Sequence, residues 1–355
     1  MDARKEIRKL KLSLTQECCL SCTHCFVDKS GRKTISLPDA RRGLEFFLSS
    51  PGKHKKLELA GGEAFMRFRL LKAVVAAAEA LARAHSKELE IWVASNGLLL
   101  TRERLEFLKA HRIVLSISVY GTAATHDAIR KLPGGGGSFA PLRRRVATVL
   151  SVLGADRVTA LLCVHPGHMA SFYEDFTGIA DMGFKVINIE CVHGIPWAPA
   201  ASRAFKKGMA AILDFVRARI EAGDFLVPEY FIHILRSRGA GAAAACPMLD
   251  DLEIYPGGEY ALYPYGFVDL EKYSRDVAIG GVREGLNARF RSCAPGSGAC
   301  ATCVRDYYRL PGMTDGAVHY SFRTRAVSAL FYSLARSRRP ACRKYIRKMV
   351  EIFGK

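Results

Sequence analysis

Apolar and polar residues alternate along 9–15, "KLKLSLT", a pattern that predicts a β-strand. Residues 37–50, "LPDARRGLEFFLSS", have the periodicity of an amphipathic helix, with Pro38 and Asp39 suited to its first turn. Strand and helix patterns then alternate as far as residue 192, and one more helix pattern follows. The predicted strands are 9–15, 56–60, 89–97, 113–121, 157–165 and 185–192. The predicted helices are 37–50, 65–86, 101–111, 141–154, 169–183 and 200–222, and a further helix before 141 is interrupted by "LPGGGGSF".

Six βα repeats predict an α/β fold, since parallel strands need helical crossovers. Six are too few for a complete eight-stranded barrel, so a partial barrel and a doubly wound sheet both fit the pattern. In either architecture the carboxyl ends of the strands are expected to carry the chemistry.

The regular alternation ends after residue 195. Residues 251–266 predict a β-hairpin that turns at Pro256-Gly257-Gly258, and the segment 267–313 is predicted to be rich in loops. We place a boundary near residue 240. The predicted domains are a core at 1–240, a cysteine-containing extension at 241–315 and a basic helical tail at 316–355.

Composition adds two constraints. The chain carries a net charge of +19, which favours an anionic partner such as nucleic acid or an acidic peptide. There is no apolar run of about 18 residues to cross a membrane, and the charged N-terminus lacks the apolar core of a signal peptide. We therefore expect a cytoplasmic protein, in which the eleven cysteines favour metal binding or catalysis over disulfides.

Four short motifs stand at or just after the ends of predicted strands: "CCLSCTHC" at 18–25, "GGE" at 61–63, "SNG" at 95–97 and "VYG" at 119–121. The first contains the spacing C-x3-C-x2-C, which offers three thiolates from one loop. A structural zinc site takes four ligands, so His24 or Cys19 would have to complete it. A four-iron cluster held by three cysteines instead leaves one iron open to a ligand from outside the protein.

In this motif the sequence resembles the radical S-adenosylmethionine (SAM) superfamily. The resemblance implies a partial (β/α)6 TIM-like barrel and a 4Fe-4S cluster on Cys18, Cys22 and Cys25, with SAM on the fourth iron. Reductive cleavage of SAM would give a 5′-deoxyadenosyl radical that removes a hydrogen atom from a substrate. Cys19 is then a bystander, and His24 shields the cluster without ligating it.

The resemblance extends to the other motifs. Residues implied in SAM binding are Gly61, Gly62, Glu63, Asn96, Ser118 and Arg130. For Arg130 a surface position on a helix is an equal alternative. Candidates for the adenine pocket or the substrate cavity are Val164, Asn188 and Glu190. Tyr120 stands where related maturases usually have aspartate, and packing is its expected role. No catalytic side chain is assigned.

The segments "HDAIR" at 126–130 and "GGSF" at 136–139 follow in the order seen in peptide-modifying members with SPASM extensions. The full set of SPASM cysteines is absent, because Tyr263, Arg309 and Met313 occupy expected cysteine positions. The four that remain are Cys246, Cys293, Cys300 and Cys303. One auxiliary 4Fe-4S cluster, as in twitch variants, is the interpretation we favour, with a zinc ion or no metal as alternatives.

The resemblance predicts an oxidoreductase or maturase that modifies a peptide or protein side chain, with flavodoxin or ferredoxin as reductant. The basic tail could then hold an acidic leader segment. Modification of RNA or a small metabolite is an alternative, prompted for RNA by the charge, and a non-enzymatic iron–sulfur electron carrier is another.

Overall fold

The computed structural model describes residues 6–25, 27, 29, 31–237, 251–262, 278–287 and 313–354. The chain divides into two compact units. Unit 1 comprises Met1–Leu115, Leu132–Gly134 and Ala244–Arg309. Unit 2 comprises Ser116–Lys131, Gly135–Ala243 and Leu310–Lys355.

The strands of the described residues are β1 Lys9–Ser13, β2 Ser21–Cys22, β3 His54–Ala60, β4 Glu88–Ser95, β5 Val114–Ser118, β6 Arg130–Lys131, β7 Val158–Val164, β8 Val186–Cys191, β9 Val227–Pro228, β10 Asp251–Ile254, β11 Glu259–Leu262, β12 Ala278–Gly281 and β13 Gly285–Leu286.

The α-helices of the same residues are α1 Leu37–Ser49, α2 Phe68–Ala84, α3 Arg102–Ala110, α4 Ala123–Ile129, α5 Phe139–Leu153, α6 Phe172–Asp181, α7 Pro199–Glu221, α8 Tyr230–Ser237, α9 Met313–Arg336 and α10 Pro340–Phe353. Short 3₁₀ helices precede α2 and α6.

In unit 1 the strands lie in the order β13-β12-β11-β10-β1-β3-β4. Strand β1 pairs in parallel with both β3 and β10, and β3 pairs in parallel with β4. One face of this sheet is apolar: Leu10 and Leu12 of β1 are fully buried, and their partners on β3 and β10 are leucine or isoleucine. Helix α1 packs closely there, since a Cβ on Gly43 would lie 2.4 Å from Cδ1 of Ile254.

The opposite face of the same strands carries charges, and we call it the charged face. Lys11 of β1 has Glu58 of β3 and Glu253 of β10 as its register partners. Glu253 is fully buried, and its Oε1 lies 3.1 Å from Nζ of Lys11 and accepts a hydrogen bond from Ser13 at 3.3 Å. Burial alone would raise the pKa of Glu58, but neighbouring lysines, led by Lys9, lower it below its usual value.

In unit 2 the strand order is β5-β7-β8-β9, with β7 parallel to β8 and β8 parallel to β9. Aromatic pairs join its helices. Phe172 at the start of α6 stacks on Phe205 of α7 at 5.6 Å, and Phe231 of α8 meets Phe331 of α9 edge-on at 5.1 Å.

The predicted alternation of strands and helices is confirmed, as is the hairpin, whose strands β10 and β11 pair antiparallel. Helix α8 was not predicted. Within 267–313, which was predicted to be rich in loops, residues 278–287 contain the strands β12 and β13, which were not predicted. Both strands are short and glycine-rich, so they lack the apolar alternation that marks a strand.

The division into units differs from the predicted domains, because the first break falls within β5 and the hairpin belongs with β1. The domain boundaries near residues 240 and 315 stay predictions. The four C-terminal cysteines Cys246, Cys293, Cys300 and Cys303 lie outside the described residues, as does Tyr263. Among the helices of the described residues, none combines the length and apolar character needed to span a membrane.

Candidate functional site

A loop that we call the cysteine loop, residues 16–33, links β1 to the segment before α1. Hydrogen bonds close its base: the amide of Gln16 donates to the carbonyl of Lys33 at 2.8 Å, and the hydroxyls of Thr15 and Thr34 lie 2.8 Å apart. The side chain of Lys29 donates to the carbonyl of Leu20 at 2.7 Å. The three spaced cysteines therefore occupy a loop whose ends are fixed at the carboxyl end of β1.

The thiols of this loop differ in their surroundings. Cys18, Cys19 and Cys22 are half-buried and Cys25 is exposed, and none of them forms a disulfide. A hydrogen bond from the Cys19 thiol is the main cause that lowers the pKa of Cys18 to about 6, and it raises the pKa of Cys19. Cys18 is thus the thiol of this pair that is held as a thiolate near neutral pH.

The "GGE" turn lies directly against the base of the cysteine loop. The amide of Gly62 donates to the carbonyl of Thr15 at 2.7 Å, and the amide of Glu63 donates to the carbonyl of Glu17 at 2.8 Å. Gly61 has a φ of 143°, and a Cβ on Gly62 would lie 2.4 Å from the carbonyl oxygen of Glu17. Glycine is required at both positions because the two backbones approach so closely.

The carboxylate of Glu63 joins this turn to "SNG" at the end of β4. It accepts hydrogen bonds from the Ser95 hydroxyl at 2.9 Å, the Asn96 amide at 2.7 Å and the Phe65 amide at 3.2 Å. Burial is the main cause that raises the pKa of Glu63 to about 7. Glu63 is only 1% exposed. Its hydrogen bonds in this structure are therefore to protein groups.

Asn96 completes the connection to the cysteine loop. Its Nδ2 lies 3.3 Å from Sγ of Cys19 and 3.8 Å from Sγ of Cys18, while its Oδ1 accepts from the amide of Leu98 at 3.0 Å. Three of the predicted motifs are therefore brought together in unit 1.

The donor chemistry of the cysteine loop fits an iron–sulfur cluster. Cys18, Cys22 and Cys25 are three thiols from one short loop, none of them in a disulfide, and thiolates are the usual ligands of such clusters. Within the part of the chain that the structure describes, no three cysteine, histidine, aspartate or glutamate side chains are close enough to hold one metal ion. The thiols would have to turn toward one another to hold a cluster.

The remaining predicted positions at the carboxyl ends of β5 and β7 lie in unit 2. Ser118 ends β5 and is half-buried. Tyr120 is 2% exposed, and its hydroxyl donates to the carbonyl of Cys163 at 2.7 Å, which supports the expected packing role. Val164 ends β7 and is buried. Arg130 is also buried, so the alternative of a surface arginine is wrong.

A buried histidine connects the "HDAIR" and "GGSF" segments. Nδ1 of His126 accepts from the amide of Tyr120 at 3.2 Å, so Nε2 carries the proton and donates to the Ser138 hydroxyl at 3.0 Å. That hydroxyl donates to the carbonyl of Arg130 at 2.5 Å. Asp127 accepts from the amides of Ser138 and Phe139 and so caps α5. Burial first, and the Arg130 charge second, lower the pKa of His126 to about 3.

Helix α9 supplies a residue that the sequence pattern did not reveal. Arg323 is 4% exposed, donates to Oδ1 of Asn188 at 3.2 Å and to the carbonyl of Ile189, and lies 3.5 Å from the carboxylate of Glu190. Two of the candidates on β8 are therefore held by a buried arginine. No motif marks Arg323, which lies in a tail that is basic throughout.

Comparison with known proteins defines the class. The family model described as "Radical SAM superfamily" matches residues 12–176. This range runs from β1 into α6 and includes the cysteine loop, the "GGE" and "SNG" turns and the histidine network. Residues 12–176 are therefore similar to a radical SAM domain. No curated protein sequence matches the chain significantly.

Solved structures resemble most of the chain. Native anSMEcpe with bound AdoMet is 14% identical, with a TM-score of 0.68 over 92% of this chain and 98% of that one. The same protein with AdoMet and the Cp18Cys peptide is 15% identical at the same TM-score and coverage. SuiB of Streptococcus suis, bound to its precursor peptide SuiA, is 12% identical, with a TM-score of 0.52 over 75% of this chain and 61% of that one. These likenesses confirm the predicted fold class, an α/β fold with a parallel sheet of the radical SAM type.

Proposed function

We propose that the chain is an enzyme that uses a 4Fe-4S cluster and SAM to modify a peptide or protein side chain. The observation that carries this proposal is the Glu63 network, which joins "GGE", "SNG" and the cysteine loop through hydrogen bonds in one unit. An electron carrier that holds a cluster alone needs neither of the two turns.

Cys18, Cys22 and Cys25 would hold the cluster. When bound, it supplies the electron for cleavage of SAM to methionine and a 5′-deoxyadenosyl radical, which removes a hydrogen atom from the substrate. Glu63 has a positioning role in this proposal: it fixes the Asn96 amide and the Ser95 hydroxyl beside the loop. Gly61 and Gly62 let this turn approach the backbone at the base of the cysteine loop.

A peptide substrate is supported by two similar folds, since anSMEcpe has been solved with the Cp18Cys peptide and SuiB with SuiA. The maturase subgroup, a cytoplasmic location and a flavodoxin or ferredoxin as reductant are further parts of the proposal. Cys246, Cys293, Cys300 and Cys303 match in number the ligands of one auxiliary cluster.

The cleavage of SAM tests the enzyme itself. The full chain is purified without oxygen, reconstituted with iron and sulfide, and mixed with dithionite and SAM. We expect 5′-deoxyadenosine, detected by chromatography, and none when dithionite is omitted or when Cys18, Cys22 and Cys25 are all alanine. No 5′-deoxyadenosine from a protein that holds four irons would contradict the proposal.

The substrate class needs a second assay. Peptides encoded beside the gene are added to the same mixture and their masses are measured before and after the reaction. A mass change that requires SAM and dithionite supports peptide modification. If 5′-deoxyadenosine formed but no candidate peptide changed in mass, the proposal of SAM cleavage would stand. The proposal of a peptide substrate would be rejected.

A further inference from the structure

A cavity of about 580 Å³ lies between the ends of three helices in unit 2. Its lining includes the last two turns of α7, the last turn of α9 and the first turn of α10, and we call it the basic pocket. It is lined by Arg217, Glu221, Ser333, Leu334, Arg336, Ser337, Arg339 and Cys342. Its volume falls within the range of small-ligand and peptide side-chain sites, about 300–1,000 Å³.

The accessible lining is mainly polar, because its two apolar members are buried. Leu334 and Cys342 are each 1% exposed, whereas Arg336 and Arg339 are exposed. With three arginines and one glutamate, the lining has a net charge of +2. A guanidinium group offers five N–H donors in a planar fork that matches a carboxylate. The pocket thus has the charge and the donors to bind carboxylates.

The observed contacts occupy only part of this donor capacity. One nitrogen of Arg217 donates to the Ser333 hydroxyl at 3.2 Å, and Nε of Arg336 donates to the carbonyl of Tyr332 at 3.2 Å. Arg339 forms an ion pair with Glu221. Glu221 therefore already places a carboxylate within the pocket, and a ligand carboxylate would compete with it for Arg339.

We propose that the basic pocket binds an acidic segment of a peptide, whose carboxylates pair with its arginines. This inference rests on the proposed function, in which the substrate is a peptide. It adds a binding site for that peptide on α7, α9 and α10. A nucleic acid fits less well, because the lining offers no aromatic side chain on which bases could stack.

Direct binding tests the proposal with no need for SAM, reductant or turnover. A fluorescein-labelled hexaglutamate peptide is titrated with the full-length protein, and its anisotropy is followed. We expect Arg217→Ala to weaken binding about fivefold, because it removes a charged donor. Glu221→Gln should tighten binding two- to threefold, about the effect of removing one partly exposed competing charge. Structural damage can only weaken binding, so the gain in Glu221→Gln separates recognition from misfolding.

Arg203→Ala is the matched control, since Arg203 is an exposed arginine on the same helix, about 21 Å from Arg217 along its axis. Equal losses in Arg203→Ala and Arg217→Ala would show non-specific attraction to a protein of net charge +19 and would overturn the proposal. Weaker binding in Glu221→Gln would also overturn it. Competition with a single-stranded RNA of 20 nucleotides gives a third contradicting outcome. If the RNA displaced the peptide from the wild type but not from Arg217→Ala, the pocket would bind RNA and the proposal would be overturned. Loss of SAM cleavage leaves these binding results unaffected, which keeps the two proposals separable.

Discussion

The carboxyl ends of β1, β3 and β4 in unit 1 contrast with those of β5 and β7 in unit 2. Both regions are built from short polar motifs tied by buried hydrogen bonds. In unit 1 these motifs contain groups whose pKa values lie near neutrality, about 6 for Cys18 and about 7 for Glu63. In unit 2 the central group, His126, has a pKa of about 3 and stays uncharged. The first region is suited to chemistry that changes charge, and the second to holding a fixed arrangement.

The largest expected effect distinguishes two cysteines of unit 1. Cys22→Ser should abolish both cluster assembly and 5′-deoxyadenosine formation, because it removes one of three thiolate ligands. Cys19→Ser should retain the iron, since Cys19 has no ligand role in the proposed site. Iron content and the visible absorption of the reconstituted protein measure the difference. Equal loss of iron in both variants would overturn the assignment of ligands.

The second largest effect on SAM cleavage is expected for Glu63→Gln. Its amide nitrogen would face the Asn96 amide or the Ser95 hydroxyl in place of an accepting oxygen. We expect kcat/KM for SAM cleavage to fall about 100-fold, equivalent to about 3 kcal/mol, with little change in iron content. Ser95→Ala removes one of the same hydrogen bonds and should lose about tenfold. Full activity in Glu63→Gln would remove the reason for placing the chemistry in unit 1.

The pH dependence of the free energy of unfolding should reveal the contribution of His126, the central group of unit 2. His126 has a lowered pKa in the folded chain, so below its ordinary pKa of 6.5 the unfolded chain binds more protons. Its contribution to stability is therefore complete above pH 6.5 and is lost as the pH falls toward 3. We expect a decline approaching about 1.4 kcal/mol per pH unit well below pH 6.5.

Urea unfolding of the wild type and His126→Gln at several pH values measures this decline. The glutamine can donate to Ser138 but does not titrate, so its pH slope should be smaller. If both proteins lost stability equally from pH 6.5 to 4.5, another group would be responsible.

The smallest effect is expected at the amino end of β8, away from both sets of motifs. Asp224 accepts hydrogen bonds from Lys185 at 2.9 Å and from Arg219 at 2.5 Å. Burial opposes these contacts, yet they lower its pKa to about 2. Asp224→Asn should cost about 0.5 kcal/mol at pH 7, because partly exposed ion pairs are screened by water, and should leave SAM cleavage unchanged. A loss above about 2 kcal/mol would show that this pair is far less screened than its exposure indicates.

The sequence predicted the strands and the motifs at their ends because both depend on local patterns. "GGE" follows the strand 56–60 as expected, and its glycines are explained by their close approach to the cysteine loop. The partners of the Glu63 carboxylate could not be predicted, since Ser95 and Asn96 are 32 and 33 residues away along the chain.

Arg323 shows the same limit more sharply. It contacts Asn188 across 135 residues, and a lone arginine in a basic helix is normally a solvated residue. The "HDAIR" and "GGSF" segments were noted for their order, but only the structure shows that His126 and Asp127 both bind Ser138.

The charged face of unit 1 has a consequence for the order in which the chain folds. Ser13 and Glu253 are 240 residues apart in sequence, yet they share a buried hydrogen bond, and Lys11 forms an ion pair with Glu253. During synthesis β1 is made first and can pair with β3 at once, but its other edge has no partner until β10 leaves the ribosome. A chain that ends before residue 251 would keep that edge open and would lack the ion pair between Lys11 and Glu253. We therefore expect chains truncated before β10 to aggregate through the open edge of β1. The pairing of β1 with β10 should be among the last events of folding.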